Sequence, residues 1–294
     1  MRRTLVIALF LTALAVPSFG QSNWGLRTGI GLEKSISKGL NASLEAKLHQ
    51  TDNFRTTDRW SIGISLSKRL YRNAAKTFNV KAAVGYKFLS VYNGWSTKFK
   101  GDSTLIIADG MEPLFYKKRG YDFNYYDTYT QLRQRLTASV QASYELGQFK
   151  FSLREMYQYT YADSTDYTVY RYRYANTSRD KAWADKKGYT KVPSENYYLR
   201  TDTDGKPASS SNVLRSKISI DYNIPHWKYD PFISYELFNN LDNSFKAEKS
   251  RITAGVDFSF KKKHDFEIAY MWQNQHDDDE PAGSFICLSY KFNL

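Results

Sequence analysis

The segment Ser284 to Leu294 reads Ser-Phe-Ile-Cys-Leu-Ser-Tyr-Lys-Phe-Asn-Leu, so Ile286, Leu288, Tyr290, Phe292 and Leu294 alternate with Cys287, Ser289, Lys291 and Asn293. Successive side chains of a strand point to opposite faces, which makes one face here apolar and aromatic and the other polar. In water an edge strand of this kind would template aggregation. As the closing strand of a barrel in lipid it has no free edge and requires that apolar face.

The same alternation recurs upstream. Leu40, Ala42, Leu44, Ala46 and Leu48 alternate with polar residues, as do Trp60, Ile62, Ile64 and Leu66, and then Val80, Ala82, Val84, Tyr86 and Phe88. Trp24 to Leu32, Leu132 to Tyr144, Phe149 to Tyr161, Leu214 to Tyr222, Ile233 to Leu237, Ile252 to Phe260 and Phe266 to Trp272 continue it, for eleven such segments in all. The connections alternate between short and long, the longest being 93–125 and 163–212. A soluble β-sandwich shares the alternation but not this rhythm of short turns and long loops. The expected fold is therefore all-β, a single transmembrane antiparallel β-barrel with short periplasmic turns and long outer loops. Single-chain bacterial barrels have an even number of strands, so about twelve are expected, within a range of ten to twelve. Eleven visible segments then mean that one is hidden, that one lies outside the wall, or that the first and last strands pair unusually.

Residues 1–20 stand apart. Arg2 and Arg3 precede an apolar run from Leu5 to Val16, and small residues flank a cut near Gly20. This is the layout of a signal peptide, leaving 21–294 as the mature barrel bound for the outer membrane. The run is shorter than the roughly 20 apolar residues of a spanning helix. A mean hydropathy of -0.60 argues against a helical membrane protein, but a barrel shows lipid only alternate residues. Twenty-four Tyr and 18 Phe suit strands with interfacial aromatics. Cys287 is the single cysteine, so no internal disulfide staples the fold. The net charge of +12 points to anionic partners, with lipopolysaccharide and outer-membrane lipid favoured over nucleic acid in an exported strand-rich chain. The protein is expected to be monomeric and to need no cofactor.

Charges in a barrel wall must face the lumen. The inward parity carries Arg27, Glu45, Lys47, Arg59, Lys81, Lys87, Arg133, Arg135, Lys150, Arg154, Arg215, Lys217, Glu236 and Arg251. Glu33, Asp127, Glu145, Asp221, Asp257 and Glu267 are assigned to the same side. Two readings follow: a small passive pore or solute conduit with a basic-leaning lumen, or an interior closed by cross-strand ion pairs with function on the outer loops. At ten to twelve strands barrel size alone does not choose.

In the long connection, Tyr170, Arg171, Tyr172 and Arg173 alternate aromatic and cationic side chains. Extended, they present Tyr on one face and Arg on the other, a surface that stacks on sugars and pairs with anions, or simply an interfacial hairpin. An outer-membrane lipid or peptide hydrolase would need a nucleophile with His near the outer end. Among four His, only His49 lies inward in a strand, and no catalytic signature surrounds it, so the chain is not expected to be an enzyme. The run His276 to Glu280 lacks the spacing of a calcium loop and reads as a solvated acidic loop, so no metal site is expected.

The combination Pro231-Phe232-Ile233-Ser234-Tyr235-Glu236-Leu237-Phe238, Ser250 to Val256, His264 to Ile268, Tyr270-Met271-Trp272-Gln273 and Leu288 to Phe292 resembles an uncharacterised outer-membrane barrel family common in Bacteroidetes. That family is designated only as a domain of unknown function (2490). The resemblance implies a barrel and an outer-membrane location, inserted by the barrel-insertion machinery. It implies no activity and no catalytic residues.

Overall fold

A computed structural model describes residues 24–100, 122–193, 196–225, 227–261, 263–275 and 282–294. The leader 1–20, His226 and the acidic run His276 to Glu280 lie outside the described residues. In chain order the elements are β1 (Trp24–Ser37), β2 (Leu40–Thr51), β3 (Thr56–Arg72), β4 (Phe78–Asn93), β5 (Ser96–Lys100), β6 (Asp122–Tyr126), β7 (Tyr129–Leu146), β8 (Phe149–Ala162) and β9 (Thr165–Tyr174). After them come α1 (Ser178–Lys186), β10 (Thr190–Lys191), β11 (Tyr197–Lys206), β12 (Ser209–Tyr222), β13 (Tyr229–Asn240), β14 (Lys246–Phe260), β15 (His264–Gln275) and β16 (Gly283–Asn293).

The chain forms two compact units: one of the residues up to Val91 with Leu132–Ala162 and Ser209–Leu294, the other of Tyr92–Gln131 and Asp163–Ala208. The first is a closed barrel of eleven strands in the order β1-β16-β15-β14-β13-β12-β8-β7-β4-β3-β2. The barrel is as expected. Eleven strands fall within the expected ten to twelve, and the odd number is accommodated by unusual pairing of the first and last strands, the wall being antiparallel except at that seam. Strands that alternate direction leave the first and last of an odd set pointing the same way, so β1 and β16 close the barrel in parallel. Their register runs from Trp24 opposite Ser284 to Glu33 opposite Asn293. Trp24 is thereby placed at the end of the barrel that carries the long connections, where its carbonyl accepts from the Asn53 N–H at 2.9 Å. The Leu294 N–H closes the other, short-turn end on the Glu33 carbonyl at 2.8 Å.

The two faces of the wall obey the alternation. Outward residues remain open at the barrel surface, among them Ile30 at 64% and Val84 at 57% exposure, with Ile62, Ile64, Leu136, Leu153, Ile218 and Ile268. Soluble proteins rarely show contiguous apolar patches beyond a few hundred Å². A continuous apolar wall with every strand edge paired is what hydrocarbon requires. Near the short-turn end Phe149 packs on Tyr222 at 4.7 Å and Phe258 stacks on Phe266 at 5.0 Å, an aromatic cluster suited to a membrane interface.

The second unit is an antiparallel sheet in the order β10-β11-β9-β6-β5. The connections 93–125 and 163–212 thus carry folded structure, with 101–121 outside the described residues. One sheet face buries Val169 and Tyr198, and α1 contributes Ala184 to a small core with Ala175, Tyr189 and Tyr198. The helix begins where Thr177 accepts from the Asp180 N–H and donates to its carboxylate at 2.6 Å, a reciprocal N-cap. It ends at Gly188, whose positive φ of 75° permits the chain reversal that returns Tyr189 N–H to Ala184.

Candidate functional site

The barrel interior has two zones, and residue size on the inward parity explains both. Near the short turns the inward positions of β1 to β4 hold Gly29, Gly31, Ser43, Gly63, Ser65, Ala83 and Gly85. Side chains this small leave a cavity of about 790 Å³. Glu45, Lys47, Lys87 and Arg135 line one wall, and Asp257, Asp265 and Glu267 line another. Glu45 lies between two ammonium groups, 2.5 Å from Lys47 Nζ and 3.2 Å from Lys87 Nζ.

Towards the long connections the inward side chains become large, and the lumen fills. The Glu236 carboxylate on β13 accepts from Arg154 Nη2 at 2.8 Å and Arg215 Nη2 at 2.9 Å, with Arg251 Nη1 at 4.0 Å. Gln273 Oε1 accepts from Arg251 Nε at 2.6 Å and Arg27 Nη2 at 3.3 Å, which carries the belt from β14 across β15 to β1. Arg215 also donates to Gln158 Oε1 at 3.1 Å. Aromatic rings sit against the cations: Arg215 and Arg251 lie 4.5 and 4.6 Å from the Phe238 ring centre, and Arg27 lies 4.4 Å from that of Phe285. Gly25 makes room for Phe285, since a Cβ there would come within 2.4 Å of its ring. Glu236 is 7% and Phe238 4% exposed, so water barely reaches this level of the lumen. A void of about 60 Å³ lies among Arg59, Arg133, Arg135, Gln158 and Phe238.

Most of the expected lumen charges meet in these zones. Arg27, Arg154, Arg215, Glu236 and Arg251 form the belt, and Lys217 lies opposite Glu236 in the β12–β13 register. Glu45, Lys47 and Arg135 line the cavity, and Arg59 and Arg133 are buried nearer the long connections. His49 stands between Arg27 and Arg59 in the strand register. Lys81 departs in position only: it keeps the inward parity of Ala83 but is exposed near the short turns, opposite Arg69 and next to a β-bulge, away from the cavity. Asp127 departs too, because it sits between β6 and β7 in the second unit, where its carboxylate accepts from the Thr128 N–H at 2.7 Å. Phe238, Gln273 and Phe285 had no place among the expected lumen residues, although each occupies the inward parity and so carried the signal that finds it.

On the sheet of the second unit, Tyr170 and Tyr172 share a face with Trp95, Phe99, Phe123, Tyr125 and Tyr197. Phe123 stacks on Tyr172 at 4.6 Å and Trp95 on Tyr125 at 5.8 Å, while Tyr197 meets Phe123 edge-on at 5.7 Å. Arg171 and Arg173 take the opposite face and are engaged within the fold. Arg173 Nη2 donates to Asn124 Oδ1 at 3.0 Å and Nε lies 3.8 Å from Asp122, while Arg171 Nε binds Asp202. The expected pairing of these two guanidiniums with an external anion therefore has no support from the geometry, and the tyrosine face stands without it. Desolvation is the largest single influence on the Asp202 carboxyl and raises it, but the hydrogen bonds and charges of Arg200 and Arg171 together outweigh that and hold it below the ordinary range.

Among solved structures, the chain is similar to the translocator domain of the autotransporter NalP from Neisseria meningitidis, with 8% identity over 93% of this chain and 90% of that one and a TM-score of 0.44. No curated protein matches the chain. The match of residues 24–282 to one family model covers the whole barrel wall but its closing strand, and the chain accordingly belongs to the family described as "Protein of unknown function (DUF2490)".

Proposed function

We propose that this is a monomeric outer-membrane barrel, exported by its N-terminal leader, whose lumen is closed and whose work is recognition by the sheet built from its two long insertions. The short turns face the periplasm and the long connections the exterior, in contact with membrane lipid and lipopolysaccharide, after placement by the barrel-insertion machinery. The observation that carries this reading is the belt around Glu236, in which paired and stacked side chains occupy the level that a permanent water path would need. The alternative, a conduit for small solutes, draws on the cavity below the belt and on the surplus of arginines there. The reading includes no catalytic role, no metal and no cofactor.

The aromatic face supplies the recognition chemistry. Rings with hydroxyl edges stack on the apolar faces of uncharged sugars, and among the described residues Arg171 and Arg173 lie on the opposite face. The test is retention of the full-length, detergent-solubilised protein on immobilised neutral polysaccharides, beside a Trp95→Ala, Phe99→Ala, Tyr172→Ala variant. Retention that is insensitive to salt and lost in the triple variant, with barrel gel mobility unchanged, supports the reading. Retention unaffected by the substitutions, or none on any neutral polysaccharide, counts against it.

A further inference from the structure

The cavity below the belt has a charge arrangement that the surface reading does not use. Its acidic side comes from β14 and β15, where Asp257 and Glu267 are direct cross-strand partners. Its basic side comes from β2, β4 and β7, with Lys47 and Lys87 on the carboxylate of Glu45 and Arg135 in the same lining. In the closed strand order four strands separate β14 from β4 in one direction, and four separate β15 from β4 in the other, so the two sides face each other across the lumen. Like charges placed directly opposite in a sheet are destabilising. Asp257 and Glu267 nonetheless form no side-chain ion pair or hydrogen bond among the described residues. Neighbouring carboxylates do find cations: Asp221 pairs with Lys150 at 2.9 Å and Asp265 with Lys291 at 3.4 Å. Asp257 is exposed to the cavity.

We infer that this turn-end cavity is a binding vestibule for a small zwitterionic solute, its cationic group received by Asp257 and Glu267 and its anionic group by Lys87, Lys47 and Arg135. A volume of about 790 Å³ accommodates a molecule of short-peptide size. The ligand's cation relieves the repulsion between the two carboxylates, and its anion balances the positive charge of Lys47, Lys87 and Arg135, which the one carboxylate of Glu45 offsets only in part. A simple anion satisfies one side only, and a simple cation the other. The belt around Glu236 closes the vestibule towards the loop end, so the ligand enters from the short turns. The inference stands independently of sugar recognition by the sheet.

The experiment is calorimetric titration of the full-length protein in detergent with triglycine, N-acetyl-triglycine and triglycinamide. Triglycine is expected to bind, and each capped form to bind roughly ten-fold or more weakly, the cost of one charge-assisted contact. Asp257→Asn and, separately, Lys87→Gln should each weaken triglycine by a similar factor while keeping the heat-modifiable gel mobility of a folded barrel. Glu267→Gln provides a second acidic-side variant if Asp257→Asn does not fold. Absence of triglycine binding, equal binding of all three probes, or binding untouched by substitution on either side overturns the proposal.

Discussion

Arg215 on β12 and Glu236 on β13 meet inside the barrel at 2.9 Å, and the same carboxylate also receives Arg154 from β8 at 2.8 Å. One carboxylate thus ties three adjacent strands together at a level from which water is largely excluded. Such an arrangement contributes little net stability relative to an apolar core, because desolvating the ions offsets their attraction. Its removal is another matter, since the guanidiniums would remain buried without their counter-charge.

Glu236→Gln should therefore destabilise the barrel by about 3–5 kcal/mol. Substitution of a half-exposed ion-pair partner such as Lys291 should cost about 1 kcal/mol or less. Unfolding of both variants in detergent and denaturant, followed by gel mobility, measures the difference. Equal losses would mean that the belt is not the buried network described.

Adjacent residues on β4 face opposite solvents. Val84 is outward and exposed, whereas Ala83 lines the cavity. Val84→Lys should impair insertion into lipid by about 2–4 kcal/mol, the cost of a cation at mid-membrane. Ala83→Lys should insert nearly as well as the parent. Folding yields into liposomes compare the two, and a reversed order would contradict the assigned faces.

The parallel seam predicts a specific cross-link. Gly29 lies opposite Ser289, and a Cβ on Gly29 would stand 3.4 Å from Ser289 Oγ. In a Cys287→Ser background, Gly29→Cys with Ser289→Cys should form a disulfide under mild oxidation. Gly31→Cys with Ser289→Cys, out of register, should not. A reversed pattern would mean that the barrel closes in a different register or direction.

The sheet of the second unit should be acid-sensitive through Asp202. Its folded-state carboxyl lies below the ordinary value, after a desolvation effect in the opposite sense is outweighed by Arg200 and Arg171. A depressed folded pKa gives stability that is fully present above the unfolded value of about 3.9 and is lost as pH falls through the folded one. Asp202→Asn should thus be less stable than the parent at neutral pH and converge with it in strong acid. Thermal melts at several pH values, read by tryptophan fluorescence, provide the comparison. A gap independent of pH would assign the loss to packing alone.

The outward apolar wall was legible because strand periodicity is strict: Ile62 and Ile64 outward, Gly63 and Ser65 inward. The parallel seam was not, since alternation in Trp24 to Leu32 and in Ser284 to Leu294 carries no information about relative direction. Eleven segments were visible, and it was the rule of even strand number that pulled the expectation towards twelve. The second unit stayed hidden because Tyr170 to Tyr174 pairs with β6 and β11 across long sequence separations, leaving no short-range hairpin signal. In the lumen, charge drew attention to Arg215 and Glu236, while Phe238 and Gln273 on the same parity entered only through the family resemblance, with no charge to mark them as lumen residues.

The most direct test of the closed lumen is single-channel conductance of the refolded, full-length protein in a planar bilayer under a salt gradient. The belt around Glu236 predicts no steady ohmic current from protein whose gel mobility shows it to be folded, and the appearance of current in an Arg215→Ala, Phe238→Ala variant. A steady ohmic current from the unmodified protein, with reversal potential displaced towards anions, would contradict the closed barrel and make the arginine belt the selectivity element of a pore.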